Sequence, residues 1–513
     1  MVKIVMVAGL ALSSGCAHGP TWQSAAERPW LELRSRDFVL STDLDRSTAL
    51  ERFGELEEIR DTLIDHFGLI APGPRPNVEP FHIVHVESCQ DLAPVKPAGA
   101  LAYVTVATDW SGARLMVTCE AWRGRRDVLL HEMTHVLTGA YFARLPPWLN
   151  EGLARYYETL QVEGGEVVIG TPPPYHLVLD RTSAMGRVPS FARLTSMREA
   201  FYAKDTALVN YVGAWKLVHL LSSADHRDRF IAYLRALHRG RPAGDPWRAA
   251  FGDIGDDRIA AEYDEYTSRP RLDIYRGRRT PPSKRPAPLV RALRSGEVDA
   301  LWIQLYMSGD RSGAGGDRRK AVGEHLVAMA RHDAGWNGLL FWRALTGPYL
   351  RGGPDRARTQ RELRAYAARE PNDVRVWRAL VSLELGRIVP RDYVGIDGDV
   401  PAGLVALEPD VLELVRHADT STSLNEIGWY YALRRVARTG LAFGFRAVRM
   451  NPTCGECYDT LALLLYENGN LSYAVEAQER AVTLMGERGI PRGVTRRLEL
   501  FRRAQQSQTD RPH

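Results

Sequence analysis

His131-Glu132-Met133-Thr134-His135 sets the strongest limit on what this chain can become. Residues four apart on an α-helix lie one above the other, so a helix here aims both imidazoles at one point, where they could share a Zn²⁺ ion. Glu132 then projects beside them, placed to take a proton from a metal-bound water. The same five residues also fit two histidines on a polar helix face, so a third ligand decides between the readings. Trp148-Leu149-Asn150-Glu151-Gly152-Leu153-Ala154 offers one. Pro146-Pro147 ends the preceding segment and starts a new helix, which lets the chain double back and bring Glu151 to the histidines. Two neutral histidines and one carboxylate leave a fourth position open, as a catalytic zinc requires, whereas a structural zinc site is closed. Glu158 lies seven residues beyond Glu151, two turns along the same face, and could orient a ligand histidine through its second ring nitrogen. The alternative for Glu158 is a solvated helix charge.

These paired motifs, His131 to His135 and Trp148 to Ala154, resemble those of the gluzincin peptidases, the clan of thermolysin-like and M1 aminopeptidase-like enzymes, and within it the bacterial families called peptidase MA-like. The resemblance covers roughly residues 120–225. It implies a zincin-type catalytic domain in which His131, His135 and Glu151 bind one zinc ion and Glu132 is the general base. Tyr211-Val212-Gly213-Ala214-Trp215-Lys216-Leu217 looks like the segment that carries a transition-state tyrosine in the M1 enzymes. Tyr211 would then donate a hydrogen bond to the oxyanion, with Tyr202 the second candidate and a packed helix tyrosine the alternative. The Gly-x-Met-Glu-Asn segment that grips a free amino terminus in M1 aminopeptidases has no counterpart upstream, which favours an endopeptidase. Arg114 to Thr118 is expected to hold an extended peptide by strand addition.

With 513 residues the chain exceeds one ordinary core, so two or more domains are expected. Its 45% apolar and 25% charged residues exclude a disordered chain and a polytopic membrane protein. A net charge of +5 is small for the length, and the arginines lack aromatic interleaving, which argues against a nucleic-acid surface. The first 20 residues read as an export signal: Lys3, an apolar run from Ile4 to Leu12, then small residues up to Cys16. The run is too short to span a bilayer. Leu12-Ser13-Ser14-Gly15-Cys16 resembles a bacterial lipoprotein signal, which implies lipidation of Cys16, although Ser stands at position 13 where the usual Leu would be. An ordinary cleaved signal is the alternative. Ala17 suggests sorting to the outer membrane, facing the periplasm. In that compartment disulfides persist, and Cys89 and Cys119 are candidates for a bridge, with the pairing left open by the sequence. Cys454-Gly455-Glu456-Cys457 reads as a local bridge or two free thiols ahead of a redox pair or half a metal site.

The expected fold class is α+β. Residues 28–268 read as a small sheet followed by a helical catalytic body. Leu31 to Ser41, Phe81 to Val86, Leu101 to Ala107 and Leu115 to Cys119 have strand character, and Leu50 to Phe67 has helical spacing. A hairpin is expected over Leu160 to Ile169, turning at Gly164-Gly165. The Arg- and Pro-rich residues 269–289 read as a linker. Beyond it Trp342-Arg343-Ala344-Leu345 recurs as Trp377-Arg378-Ala379-Leu380 after 35 residues, and Arg446-Ala447-Val448 as Arg480-Ala481-Val482 after 34. The unit from Leu461 to Ala481 resembles a tetratricopeptide repeat, so 290–505 is expected to be an all-α array of degenerate helix pairs that binds a protein partner. The functional expectation is an exported zinc peptidase whose repeats recruit a substrate or partner. The rival is a non-catalytic envelope scaffold acting through its repeats, and a hydrolase of non-peptide bonds is a third reading.

Overall fold

Leu31–Arg34 (β1) and Phe38–Thr42 (β2) alternate about a tight turn in which Ser35 Oγ accepts from the Asp37 and Phe38 N–H groups, both at 3.3 Å. The alternation places Leu33 opposite Leu40 in the antiparallel pair. The chain then enters helix α1 (Arg46–Gly68), whose first turn is secured by Asp45 Oδ1 accepting from the Ser47 and Thr48 N–H groups at 2.9 and 3.1 Å. It returns as β3 (Phe81–Val86), parallel to β2. Tyr103–Val106 (β4) and Arg114–Cys119 (β5) form an antiparallel pair, with β5 parallel to β3. The structure is a computed structural model. It describes residues 28–509 apart from internal stretches, chiefly 69–79, 107–113, 173–187, 279–285, 309–321 and 327–336. Cys16 and the leader lie outside the described residues.

The helical body follows: α2 (Arg126–Tyr141) and α3 (Pro147–Tyr157), then the hairpin β6 (Gln161–Glu163) and β7 (Glu166–Ile169). Gly165 turns that hairpin at φ +84°, a backbone angle that favours glycine. Next come α4 (Phe191–Ser196), a 3₁₀ turn (Glu199–Tyr202), α5 (Ala207–Leu221), α6 (Arg227–Arg239), α7 (Pro246–Phe251) and α8 (Asp256–Thr267). Tyr275–Arg278 (β8) then pairs antiparallel with β7, and Leu289–Ala292 (β9) pairs antiparallel with β1. The segment read as a linker is therefore not a free tether. It contains β8 and leads into β9 at its last residue, Leu289, and Tyr275 is held against His66, ring centroids 5.1 Å apart.

The main sheet has the order β4-β5-β3-β2-β1-β9. This corrects the expectation for Arg114 to Thr118: β5 lies between β3 and β4, so both its sides are already paired. The hairpin return from β4 to β5 puts β4 on the outside. Both faces of the inner strands β3 and β5 are buried, as apolar runs with parallel pairing require. Phe81, Ile83 and Met116 join α1, α2 and α3 in one core. Val84, Val86, Leu115 and Val117 face the other way, against Trp302 and Ile303 of α9 (Ser295–Ser308) and Phe341 and Trp342 of α10 (Gly338–Leu350). Helices expected in a separate domain thus share a core with the sheet, and the boundary near 269–289 does not divide two cores.

The remaining chain is a helical repeat-like array: α11 (Arg356–Ala367), α12 (Val374–Ile388), α13 (Glu408–His417), α14 (Ser421–Leu433), α15 (Ala437–Met450), α16 (Gly455–Glu467), α17 (Leu471–Met485) and α18 (Arg492–Thr509). The sequence period has a backbone counterpart. Arg435 (φ 56°) and Gly469 (φ 76°) take the left-handed conformation 34 residues apart, each between the two helices of a pair. Gly440 has no space for a side chain, since a Cβ there would lie 2.5 Å from Leu464 Cδ2. The last repeats return to the helical body, where Thr453 Oγ1 donates to Gly139 O of α2 at 3.0 Å and Arg480 Nη2 to His238 O of α6 at 3.4 Å.

Cys89 and Cys119 are disulfide-bonded, tying the turn after β3 to the end of β5. Cys454 and Cys457 form a local bridge at the start of α16, where Cys454 Sγ accepts from the Cys457 N–H at 3.1 Å. Among the described residues no helix is long and apolar enough to cross a membrane. The Cys89–Cys119 bridge closes a separation of 30 residues. Replacing both cysteines by Ser is expected to lower stability by about 3 kcal/mol, measured by denaturant titration of the two proteins under non-reducing conditions.

Candidate metal centre

Helix α2 carries the two histidines on its buried side, with Asp127 in its first turn at the positive end of the helix dipole. Pro146 sits extended before α3 and Pro147 opens it, so the chain reverses between the helices. Helix α3 is pressed against α5 at Gly152, where a Cβ would meet Ala214 O and Val218 Cγ2, each at 2.6 Å. That backbone contact sets the depth and rotation of α3, and Glu151 consequently faces α2.

His131 Nε2 and His135 Nε2 lie 3.1 Å apart, and Glu151 Oε2 stands 3.6 and 3.5 Å from them. A tetrahedral zinc ion bonded at about 2.0–2.2 Å holds its ligand atoms about 3.3–3.6 Å apart; the two separations to Glu151 fall in that range, and the two imidazole nitrogens stand slightly closer together. The donor set, two imidazoles and a carboxylate, is also one that zinc takes in catalytic sites. His131 is 1% exposed, Glu151 0% and Glu132 2%, which places the group in the protein interior. The Oε2 of Glu132 has no hydrogen-bond partner among the described residues, and the same holds for Nδ1 of His135.

Burial works against a charged His131, yet its hydrogen bonds to Glu151 and Glu158 hold its pKa up at about 9. Burial raises Glu151 and the two imidazoles lower it further, leaving it below the usual carboxylate range. Glu132 is pushed upward by burial against the pull of the histidines. A cation seated on the three donors takes over from the proton on the imidazoles.

Around the donors stands a second set of groups. His131 Nδ1 is 3.2 Å from Glu158 Oε2, so Glu158 is buried on the histidine and not solvated. Arg155 Nη1 donates to the same Oε2 at 3.0 Å, and its guanidinium carbon lies 4.9 Å over the Tyr211 ring. Tyr202 OH donates to Glu151 Oε1 at 3.3 Å. The Tyr211 hydroxyl is buried and has no hydrogen-bond partner among the described residues. Burial, reinforced by Glu151, raises both tyrosines well above their ordinary pKa, so both remain donors at neutral pH. The site therefore gathers His131, Glu132, His135, Glu151, Glu158, Tyr202 and Tyr211. Sequence reasoning passed over Arg155, whose only signal is its spacing: one turn after Glu151 and three residues before Glu158.

A family described as "Protein of unknown function (DUF1570)" matches residues 129–244, which run from α2 to just beyond α6. No curated protein matches the chain. Among solved structures the chain is similar to the P58(IPK) TPR domain, with 11% identity, 66% of this chain and 93% of that chain covered, and a TM-score of 0.22. A score that low carries no argument about fold.

Substituting Gly152→Ala is expected to push α3 away from α5, lower stability by about 1–3 kcal/mol and reduce zinc uptake, read by thermal melting and by metal titration.

Proposed function

We propose that this chain is a zinc-dependent peptidase with a zincin-type catalytic domain, held by His131, His135 and Glu151. The observation that carries the reading is the meeting of three donor atoms 3.1 to 3.6 Å apart beside Glu132, a buried carboxylate whose Oε2 has no hydrogen-bond partner among the described residues. Zinc on these donors supplies a Lewis acid that makes water a nucleophile near neutral pH and polarises a carbonyl. Glu132 accepts the proton that water loses on attacking the peptide carbonyl and returns it to the departing amine, so the products are a carboxylate and an amine. Tyr211 or Tyr202 donates to the carbonyl oxygen as it gains charge. Glu158 fixes His131 with Nε2 toward the ion.

Strand β4 supports internal cleavage. It ends the sheet order among the described strands, and an extended peptide pairing along that edge would lie as an added strand. The repeat-like helices supply a surface for a protein substrate or partner, and the leader with Cys16 supplies export and a lipid anchor in the bacterial envelope.

On purified residues 21–513, elemental analysis is expected to give about one zinc per chain, lost or greatly weakened in Glu151→Ala. Glu132→Gln is expected to keep its zinc and lower hydrolysis of an unfolded protein substrate by about 10²–10⁴-fold. Absence of zinc from the unaltered protein after incubation with excess metal would sink the metal-centre reading. Undiminished hydrolysis by Glu132→Gln would remove the catalytic one and leave a scaffold.

A further inference from the structure

Arg155 is 3% exposed, and so is the Glu158 carboxylate it contacts. An ion pair that deep in the protein needs a reason, because desolvating both charges offsets much of their attraction. Three contacts supply one. The guanidinium donates to both oxygens of Glu158, at 3.0 and 3.4 Å. The nearer oxygen is also the one that faces His131 Nδ1. On its other side the guanidinium covers the Tyr211 ring at 4.9 Å. A single planar cation therefore spans from α3 to the second partner of a metal-site histidine and to a tyrosine of α5.

The charges agree with this arrangement. Glu132, Glu151 and Glu158 bring three carboxylates into one buried region. A divalent ion and Arg155 together carry three positive charges. Without Arg155, Glu158 would lose the donor that holds its Oε2 against His131, and the carboxylate would be free to turn. That turn would remove the acceptor that keeps the His131 proton on Nδ1 and leaves the Nε2 lone pair for an ion.

We propose that Arg155 is a positioning residue of the metal centre, acting on the ion through Glu158 and His131 and holding the Tyr211 ring in place by stacking on it. The inference rests on the metal-centre reading above and adds a residue that touches neither ion nor substrate. Lysine cannot fill the role, since Nη1 reaches Glu158 while the rest of the guanidinium plane covers the Tyr211 ring, and a single ammonium cannot do both.

The test uses the whole exported chain, residues 21–513, with Zn²⁺ alone in competition with a chromophoric chelator and Co²⁺ as the spectroscopic probe. Arg155→Met and Glu158→Gln are each expected to weaken zinc binding by about 10–100-fold. The double variant is expected to bind no more weakly than Glu158→Gln, because both changes break one pathway. The Co²⁺ absorption bands are expected to move in each single variant and no further in the double. Arg155→Lys keeps the buried charge and guards against a Met variant that fails to fold. It is expected to melt near the unaltered protein when metal-free, yet to show weakened zinc binding and a shifted Co²⁺ spectrum. Unchanged affinity and spectra in the Arg155 variants, or strictly additive losses in the double, overturn the inference while leaving the metal centre standing. If the unaltered protein takes up no zinc, the metal-centre reading falls and this inference falls with it.

Discussion

Helix α3 touches α5 backbone to side chain and backbone to backbone at Gly152, and the geometry of the candidate centre depends on that contact. A helix held away by one methyl group would sit differently in depth and rotation, and the neighbouring Glu151 would lose its place opposite the imidazoles. The proline pair before α3 provides the reversal, and the glycine provides the proximity. Each is a backbone property, which is why a site made of side chains is fixed by residues with almost none.

Charge and burial then act together. His131, Glu132 and Glu151 are nearly inaccessible to water, so every charge among them must be answered locally. Opposed imidazoles and carboxylates, Arg155 between Glu158 and the Tyr211 ring, and the Tyr202 hydroxyl on Glu151 provide the answer. A group so arranged could hold a cation, because its three donor atoms already lie within 4.8 Å of one another.

The wider fold ties this centre to the rest of the chain. One face of the sheet lies over the helices that carry the site, and the other is covered by α9 and α10. The last repeats come back to α2 through Thr453 and to α6 through Arg480. The helical array is therefore in contact with the helix that carries both histidines, and a partner bound to the array would act on a structure continuous with the site.

Much of this was legible in the sequence. The i, i+4 histidines, the proline pair and the Asn-Glu-Gly run pointed to His131, His135 and Glu151, which the fold does bring together, because helix periodicity is a local rule that spacing obeys. Strand-forming residues located the strands, although the run Leu31 to Ser41 is broken into β1 and β2, and a period of 34–35 residues located helix pairs, in which the structure places a left-handed turn at Arg435 and again at Gly469. Tertiary structure alone decided the rest. It placed β5 inside the sheet and β4 at the edge, recruited the Arg- and Pro-rich segment into two strand pairs, and joined sheet and helices in one core across an expected boundary. It also put Arg155 between Glu158 and Tyr211. The reason is the same throughout: strand order, edge pairing and buried ion pairs are settled between residues far apart in the chain or on separate helices, and neither composition nor local period records which of them meet.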